Sequence, residues 1–377
     1  MKKSLIALAA LAATTAFAQT TDGKPGFQIT GVFNAGYVSQ SYFGNKVSGF
    51  EQNGMGTSQL MFRGLEDLGG GLKAYFLHDT DIQFMTGAGD SGSMYSATNA
   101  GRAGTFGNDQ KYVGLSGGFG NVAFGTLNNQ SLYQGAVLLN PIWGTSYSGG
   151  YGSVNCADPT CSIVRYDNTI EYKSPVVGGF QAFVQKSNKQ SKAINTNYIQ
   201  TLGALNMPGM TEVAVKYSNG PLTVAYVDLA TDATGVATAA AAVKRGLKTL
   251  SGAYDLGNGF RVAAMNQKVN AATTLATTTS DRTANQVAAT YTWGPNTIGL
   301  DQGQSKENNA AKTLGGGQTS KFTGVAYRYE LSKMTSLQAK WESLDDKAYI
   351  VTMPTQFGAT RIDNKRTRST LGMLMAF

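Results

Sequence analysis

Hydrophobic and polar positions alternate one by one along most of this chain. Over Arg366–Phe377, Leu371, Met373, Met375 and Phe377 fall on one side of an extended strand, and Arg368, Thr370, Gly372, Leu374 and Ala376 on the other. The same two-residue period runs through Phe27–Val38, where Phe27, Ile29, Phe33, Ala35 and Tyr37 oppose Gln28, Thr30, Asn34 and Gly36. Ser58–Leu68 and Leu72–Asp81 flank Gly69-Gly70-Gly71, a triplet that reverses the chain with positive φ at no steric cost, and read as a hairpin. Later runs keep the parity: Val213/Val215/Tyr217 against Lys216, Val287/Ala289/Tyr291/Trp293 against Gln286 and Thr290, and Leu337/Ala339/Trp341 against Gln338, Lys340 and Glu342. Residues 41–56 are polar and Gly-rich and read as a loop. The Ala-rich stretch from Ala230 to Leu250 lacks an apolar stripe, so the expectation there is at most a helical turn in a loop.

The connections have two lengths. Tight reversals fall at Gly117-Gly118, Val177–Gly179, Asn219-Gly220, Gly257–Gly259, Gly294–Asn296 and Ser332-Lys333. Between them lie longer stretches rich in Asn, Ser, Thr, Gly and Ala: 82–109, 128–164, 187–210, 230–246, 270–283, 303–319 and 346–365. Short turns at one end and long loops at the other are the pattern of an exported transmembrane barrel. The expected fold is therefore all-β, a sixteen-stranded antiparallel transmembrane β-barrel, with Phe27–Val38 pairing with Arg366–Phe377 to close it. A terminal amphipathic strand left unpaired on one edge would be an open ladder. A two-sheet soluble sandwich could show the same alternation. It has no reason to keep one face aromatic and all charge on the other along the whole chain, and it seldom reaches this length as one unit.

Composition fits a wall with lipid outside and water inside. Charged residues make up only 14%, against roughly 25% in a soluble domain, and there are 47 Gly, 18 Tyr and 17 Phe. No later segment has the ~18 consecutive apolar residues of a membrane helix. Met1–Ala18 reads as a signal peptide, with Lys2 and Lys3, an apolar core from Leu5 to Ala13, and Ala16-Phe17-Ala18 as the cleavage site. That leaves 19–377 as the barrel domain and takes two lysines off the formal charge of +8. Cys156 and Cys161, the only cysteines, lie in Asn-Cys-Ala-Asp-Pro-Thr-Cys; in an exported protein the expectation is a disulfide closing a small loop. A metal site would want more Cys or His, and the single histidine, His78, lies far off at a strand end, as a rim residue. No metal and no cofactor are expected. Gly-rich stretches are turns without the Lys-Ser/Thr of a phosphate loop, and the basic residues are dispersed, so nucleic acid is not an expected partner.

The long stretch 128–164 either covers the outer mouth or folds into the wet interior, where it would narrow the channel. Inward charges on the neighbouring wall would then set the field: Arg63, Lys73 and Arg165, with Asp79, Asp167 and Glu171. Asp158 in the loop, and Arg328, Lys340 and Arg368 on later strands, complete the expected lining. No grouping of side chains suits catalysis, so the chain is not expected to be an enzyme.

Four stretches carry a resemblance: Arg63-Gly-Leu-Glu-Asp-Leu-Gly-Gly-Gly-Leu-Lys-Ala-Tyr-Phe76, Tyr112-Val-Gly-Leu-Ser-Gly-Gly-Phe-Gly120, Arg165-Tyr-Asp-Asn-Thr-Ile-Glu-Tyr-Lys-Ser-Pro175, and the last strand ending on Phe377. Together they resemble the Gram-negative general porins of beta-proteobacterial type. The resemblance implies a homotrimer in the outer membrane of a Gram-negative bacterium, in contact with lipid and lipopolysaccharide. It also implies that the loop at 128–164 folds in as the constriction, and that Phe377 is the signal read by the barrel assembly machinery. Arg165 matches an arginine opening the sixth strand, and Arg63 and Lys73 match basic lumen positions. Where the family often has Gly-Arg after the fifth strand, this chain has Gly125-Thr126-Leu127-Asn128. The implied function is passive diffusion of ions and small hydrophilic solutes, with a weak preference for anions. The alternative is a substrate-specific channel for small organic anions.

Overall fold

The computed structural model of the 377-residue chain describes residues 25–42, 45–52, 56–82, 106–107, 109–139, 165–188, 209–231, 244–272, 282–307, 319–345 and 365–377. Seventeen strand segments follow in order: β1 Gly26–Tyr42, β2 Asn45–Gln52, β3 Gln59–Gly69, β4 Leu72–Asp81, β5 Lys111–Gly117, β6 Gly120–Asn128, β7 Arg165–Lys173, β8 Phe180–Ser187, β9 Met210–Asn219, β10 Leu222–Thr231, β11 Lys244–Gly257, β12 Phe260–Ala272, β13 Arg282–Trp293, β14 Asn296–Glu307, β15 Thr319–Glu330, β16 Thr335–Asp345 and β17 Lys365–Ala376. Each pairs antiparallel with the next, except that β2 and β3 both pair with the same edge of β1, β2 over Ala35–Tyr42 and β3 over Gly26–Val32. They are two halves of one stave, so the barrel has sixteen staves. The expected loop over 41–56 is thus corrected: most of it is strand, forming a hairpin with β1. The Ala-rich stretch is also corrected at its ends, since Ala230–Thr231 and Lys244–Leu250 are strand; 232–243 lie outside the described residues.

The sheet closes where β1 meets β17, from Val32↔Ala376 to Ser41↔Thr367. Gly31 and Phe377 extend the pairing by exchanging both backbone hydrogen bonds at 3.0 Å. The Phe377 ring occupies the space above Gly31 and stacks on Phe33, with centroids 5.6 Å apart. At the break between β2 and β3, the Ser58 hydroxyl takes the ladder's place. It accepts from the Asn34 N–H at 3.0 Å and donates to the Asn34 carbonyl at 3.4 Å. Asn34 is fully buried, and its backbone would otherwise lack partners at this point of the edge.

The distribution of side chains is the reverse of a soluble core. On β17, Leu371, Met373, Met375 and Phe377 are 66%, 46%, 41% and 44% exposed, while Arg368 between β16 and β1 is 5% exposed. The same holds on β16, where Leu337 and Trp341 point out and Ser336, Gln338, Lys340 and Glu342 are buried inward, and on β13, where Val287 points out and Gln286 in. An apolar outer band and polar inner face are what a hydrocarbon surround and a wet lumen select. The inner face is not uniformly polar. Val32, Met61, Leu77, Tyr112, Ala123 and Leu127 form an apolar cluster lining the lumen side of β1 and β3–β6. Short turns gather at one rim, which they share with both ends of the closed sheet; Gly69, Gly70 and Gly71 all take positive φ there (85°, 60° and 82°).

Gly36 and Gly372 face each other across the closing pair. A Cβ on Gly36 would lie 2.5 Å from the Leu371 carbonyl oxygen and 2.6 Å from the Gly372 Cα, both backbone atoms. Gly36→Ala should therefore destabilise the folded barrel by about 1–3 kcal/mol. Gly49→Ala on β2, with nothing within 4 Å of its Cβ, should be near neutral. Urea midpoints of the folded barrel compare the two; equal midpoints would contradict the tight seam.

Candidate pore constriction

β6 and β7, the fifth and sixth staves, are joined by the long connection whose described part is residues 129–139. After β6 the chain does not rise over the rim. It turns inward as a π-helical segment, Ser131–Val137, and runs along the lumen face of β9–β12. The Glu212 carboxylate on β9, buried and directed inward, accepts the Gln130 N–H at 2.5 Å and the Ser131 N–H at 2.9 Å. Glu171 on β7 accepts from the Gln130 side-chain amide at 2.9 Å and from that of Gln185 at 2.5 Å, and Gln185 also donates to the Asn128 carbonyl. Farther on, Ser251 of β11 donates to the Gln134 carbonyl, and the Arg261 guanidinium of β12 donates to the Leu138 carbonyl at 2.7 Å. Leu139 packs with Ala253, Ala263 and Met265 on the same wall. Backbone off the ladder is thus satisfied by polar side chains of the lumen, as its burial against the wall requires.

Charges flank this segment in groups. Arg165, first residue of β7, pairs with Asp109 at 2.7 Å and donates to Asn128 at 3.1 Å. The side-chain amide of Gln59 reaches Asp79, Asp81 and Asp109 at 3.2, 3.1 and 2.8 Å. These three aspartates are the group among the described residues whose oxygens converge, within 4.8 Å, as a cation would need. The Gln59 amide lies among them, and Arg165 supplies positive charge. Arg63, buried on β3, lies close enough to act on Asp79 as Arg165 does. Asp167 accepts from the Thr126 hydroxyl at 2.7 Å, so the threonine standing where an arginine is expected binds a wall carboxylate instead. β7 bulges here: the register slips between Gly125 and Leu127, and Asn168 takes φ 52°.

The other expected lining residues lie elsewhere on the wall. Lys73 is the second residue of β4, beside the Gly69–Gly71 turn at the short-turn rim, away from the inward segment. Arg328 pairs with Glu330 at 2.8 Å near the same rim. Lys340 lies 3.9 Å from Glu342, and Glu342 faces Arg368 directly across β16 and β17. Asp158, Cys156 and Cys161 lie outside the described residues. His78 stacks on Phe106 at 4.4 Å near the end of β4. Glu212, Gln59, Asp109, Gln185 and Arg261 were not among the expected lining. Strand parity alone places Glu212 and Arg261 inward; what they hold is set by a segment far away in sequence.

A family model described as "Gram-negative porin" matches residues 4–349. Outer membrane porin protein 32 of Delftia acidovorans is 34% identical over 268 residues, covering 68% of this chain and 67% of the relative. Major outer membrane protein P.IB of Neisseria lactamica is 26% identical over 363 residues, covering 90% and 93%. Among solved structures, an anion-selective porin from Comamonas acidovorans superposes with TM-score 0.72 at 20% identity, covering 94% of this chain and all of that one. The trimer form of OmpT from Vibrio cholerae superposes with TM-score 0.65 at 13% identity, covering 93% and 99%.

Glu342 lies between two cations on a wall where each side chain is buried. Glu342→Ala should lower the thermal midpoint of the folded barrel by an amount equivalent to about 3–5 kcal/mol, because it takes the carboxylate from between two buried cations. Asp228→Ala should be near neutral, because the Asp228–Lys248 pair at 3.3 Å is exposed. A smaller effect at Glu342 than at Asp228 would contradict the wall cluster.

Proposed function

Since the chain belongs to the Gram-negative porin family, we propose that its 128–164 connection is the constriction of a weakly anion-preferring channel. The protein is an outer-membrane porin of a Gram-negative bacterium, a transport protein rather than an enzyme, through which ions and small hydrophilic solutes diffuse. The observation that carries the finer reading is the inward course of residues 129–139, fastened to lumen side chains of β7–β12.

The weak preference for anions follows from how the wall charges are matched. Arg63, Lys73, Arg165, Arg328, Lys340 and Arg368 give a basic lining. Asp109, Glu330 and Glu342 lie against four of them, Arg165, Arg328, Lys340 and Arg368, and Thr126 supplies no charge at the position where the family often has arginine. One related structure is described as anion-selective and another as a trimer, which supports the same two properties here. In this reading three copies assemble among lipid and lipopolysaccharide, 1–18 is removed on export, Cys156 and Cys161 form a disulfide that stiffens the loop, and Phe377 addresses the chain to the assembly machinery.

Purified protein in planar bilayers should give stepwise conductance in plain salt without added ligand; a correctly folded barrel giving no step would end the pore reading. Under a salt gradient the reversal potential should show a mild anion preference. Arg165→Ala leaves Asp109 without its cation and should shift the permeability ratio toward cations. One charge ~7 Å from an ion in water contributes ~0.6 kcal/mol, about RT, so the shift should be about two- to threefold. A strong cation preference in the unaltered protein, or no shift in the variant, would contradict the charge assignment.

A further inference from the structure

The outer wall of β11–β14 changes character row by row toward the long-loop rim. Its middle holds an apolar groove of about 540 Å³, floored by Gly252, Ala264 and Ala289 and walled by Tyr254, Val287 and Leu300. One row nearer that rim, Asn266, Asn285 and Gln304 face out side by side, and the Asn266 amide donates to Asn285 at 2.7 Å. The next row is basic. Lys248 lies directly opposite Lys268, Lys268 opposite Thr283, and Thr283 opposite Lys306. All three lysines are exposed. Like charges that face each other across a ladder destabilise it. Asp228, 3.3 Å from Lys248, offsets one of them; among the described residues Lys268 and Lys306 have no acidic partner.

The depth of this row follows from the strands. At the short-turn end of the same staves Phe260 stacks on Tyr291 and Tyr291 on Trp293, an aromatic girdle of the kind that meets lipid headgroups. Lys268 lies eight residues beyond Phe260 on β12. At ~3.4 Å per residue and a tilt of ~40°, that is about 21 Å along the barrel axis, against an apolar band of roughly 25 Å. The lysines therefore stand at the opposite interface, with the groove in hydrocarbon beneath them. Cation, amide and apolar groove succeed one another as phosphate, linkage and acyl chain do in a lipid. Lys248 and Lys268 are on neighbouring strands ~5 Å apart and Lys306 is ~10 Å farther, a spacing for two phosphates.

We propose that this face binds one outer-leaflet glycolipid with two phosphates on an acylated disaccharide, as in lipopolysaccharide. One phosphate sits between Lys248 and Lys268, relieving their repulsion, and the other at Lys306. The outward amides meet the acyl linkages, and one acyl chain fills the groove. The proposal rests on the outer-membrane reading, which sets the long-loop rim in the outer leaflet. Near an anionic lipid surface each lysine contributes roughly fivefold to affinity, so the three contribute on the order of a hundredfold.

The test titrates the full-length protein in detergent with lipid A, the acylated bisphosphorylated disaccharide, or with phosphatidylglycerol, and reads bound lipid by native mass spectrometry. The unaltered protein should bind lipid A several-fold more tightly than phosphatidylglycerol. Lys248→Gln, Lys268→Gln and Lys306→Gln together should weaken lipid A binding on the order of a hundredfold. Lys46→Gln, Lys186→Gln and Lys333→Gln remove the same charge from other exposed positions and should change it little. Ala264→Trp fills the groove, keeps every lysine, and should weaken lipid A binding several-fold. Full affinity in the first lysine triple, equal loss in both triples, equal affinity for the two lipids, or an unaffected Ala264→Trp would each overturn the proposal. If the first triple does not assemble, Ala264→Trp and the comparison of lipids decide. Failure of the pore reading is distinct, since the unaltered protein would then give no conductance steps, whatever lipid it binds.

Discussion

Hydrocarbon offers no partner for a backbone N–H or carbonyl, and that constraint governs this molecule from its first strand to its last residue. A sheet in lipid must close on itself, and here closure is made by two distant parts of the chain, β1 and β17. The terminal Phe377 completes the ladder by exchanging hydrogen bonds with Gly31, and its ring fills the space that glycine leaves. Where the second stave breaks between β2 and β3, the Ser58 hydroxyl replaces the missing backbone partner of Asn34. Closure of an antiparallel sheet with both ends at one rim also requires an even number of staves. The seventeen segments meet that requirement because two of them are halves of one stave.

The same constraint shapes the lumen. A segment that leaves the ladder must either reach water or find polar partners, and residues 129–139 find them on the inner wall. The wall can supply them because alternate residues of each strand already point inward and are polar. Charge on that wall is largely matched pair by pair, as at Arg165–Asp109 and Arg328–Glu330. Such pairing leaves little net field for strong selection while keeping the inner face wet. The apolar patch of Met61, Leu77 and Tyr112 shows that the lumen is not polar throughout, and it lies across the barrel's strand order from the wall that holds the inward segment.

Much of the fold was legible in the sequence because a two-residue period needs no knowledge of partners. The pairing of Phe27–Val38 with Arg366–Phe377 and the outward aromatic face follow from that period and from the need to leave no edge. Residues 45–52 were misread because Asn-Lys-Val-Ser-Gly-Phe-Glu-Gln is polar and carries Gly. Pairing with β1 makes this segment a strand, and its own propensity does not. The functional wall was legible only as a parity. Parity reads Glu171 as inward, yet its bond to Gln130 depends on a connection whose path no periodicity encodes. Lys73 shares the inward parity of Asp79 but lies toward the other rim; alternation gives the face of a residue and says little about its neighbours across the lumen. Glu212 and Arg261 read as ordinary inward charges until the segment lying against them is seen.

The central claim is that water lies inside the sheet and lipid outside it, with the boundary switching at every residue. Cysteine placed in turn at positions 337 to 342 of β16, in a background lacking Cys156 and Cys161, reports this directly through a charged, water-soluble thiol reagent. The account predicts labelling at Gln338, Lys340 and Glu342 and protection at Leu337, Ala339 and Trp341 in membranes. Uniform labelling, or the opposite alternation, would contradict it.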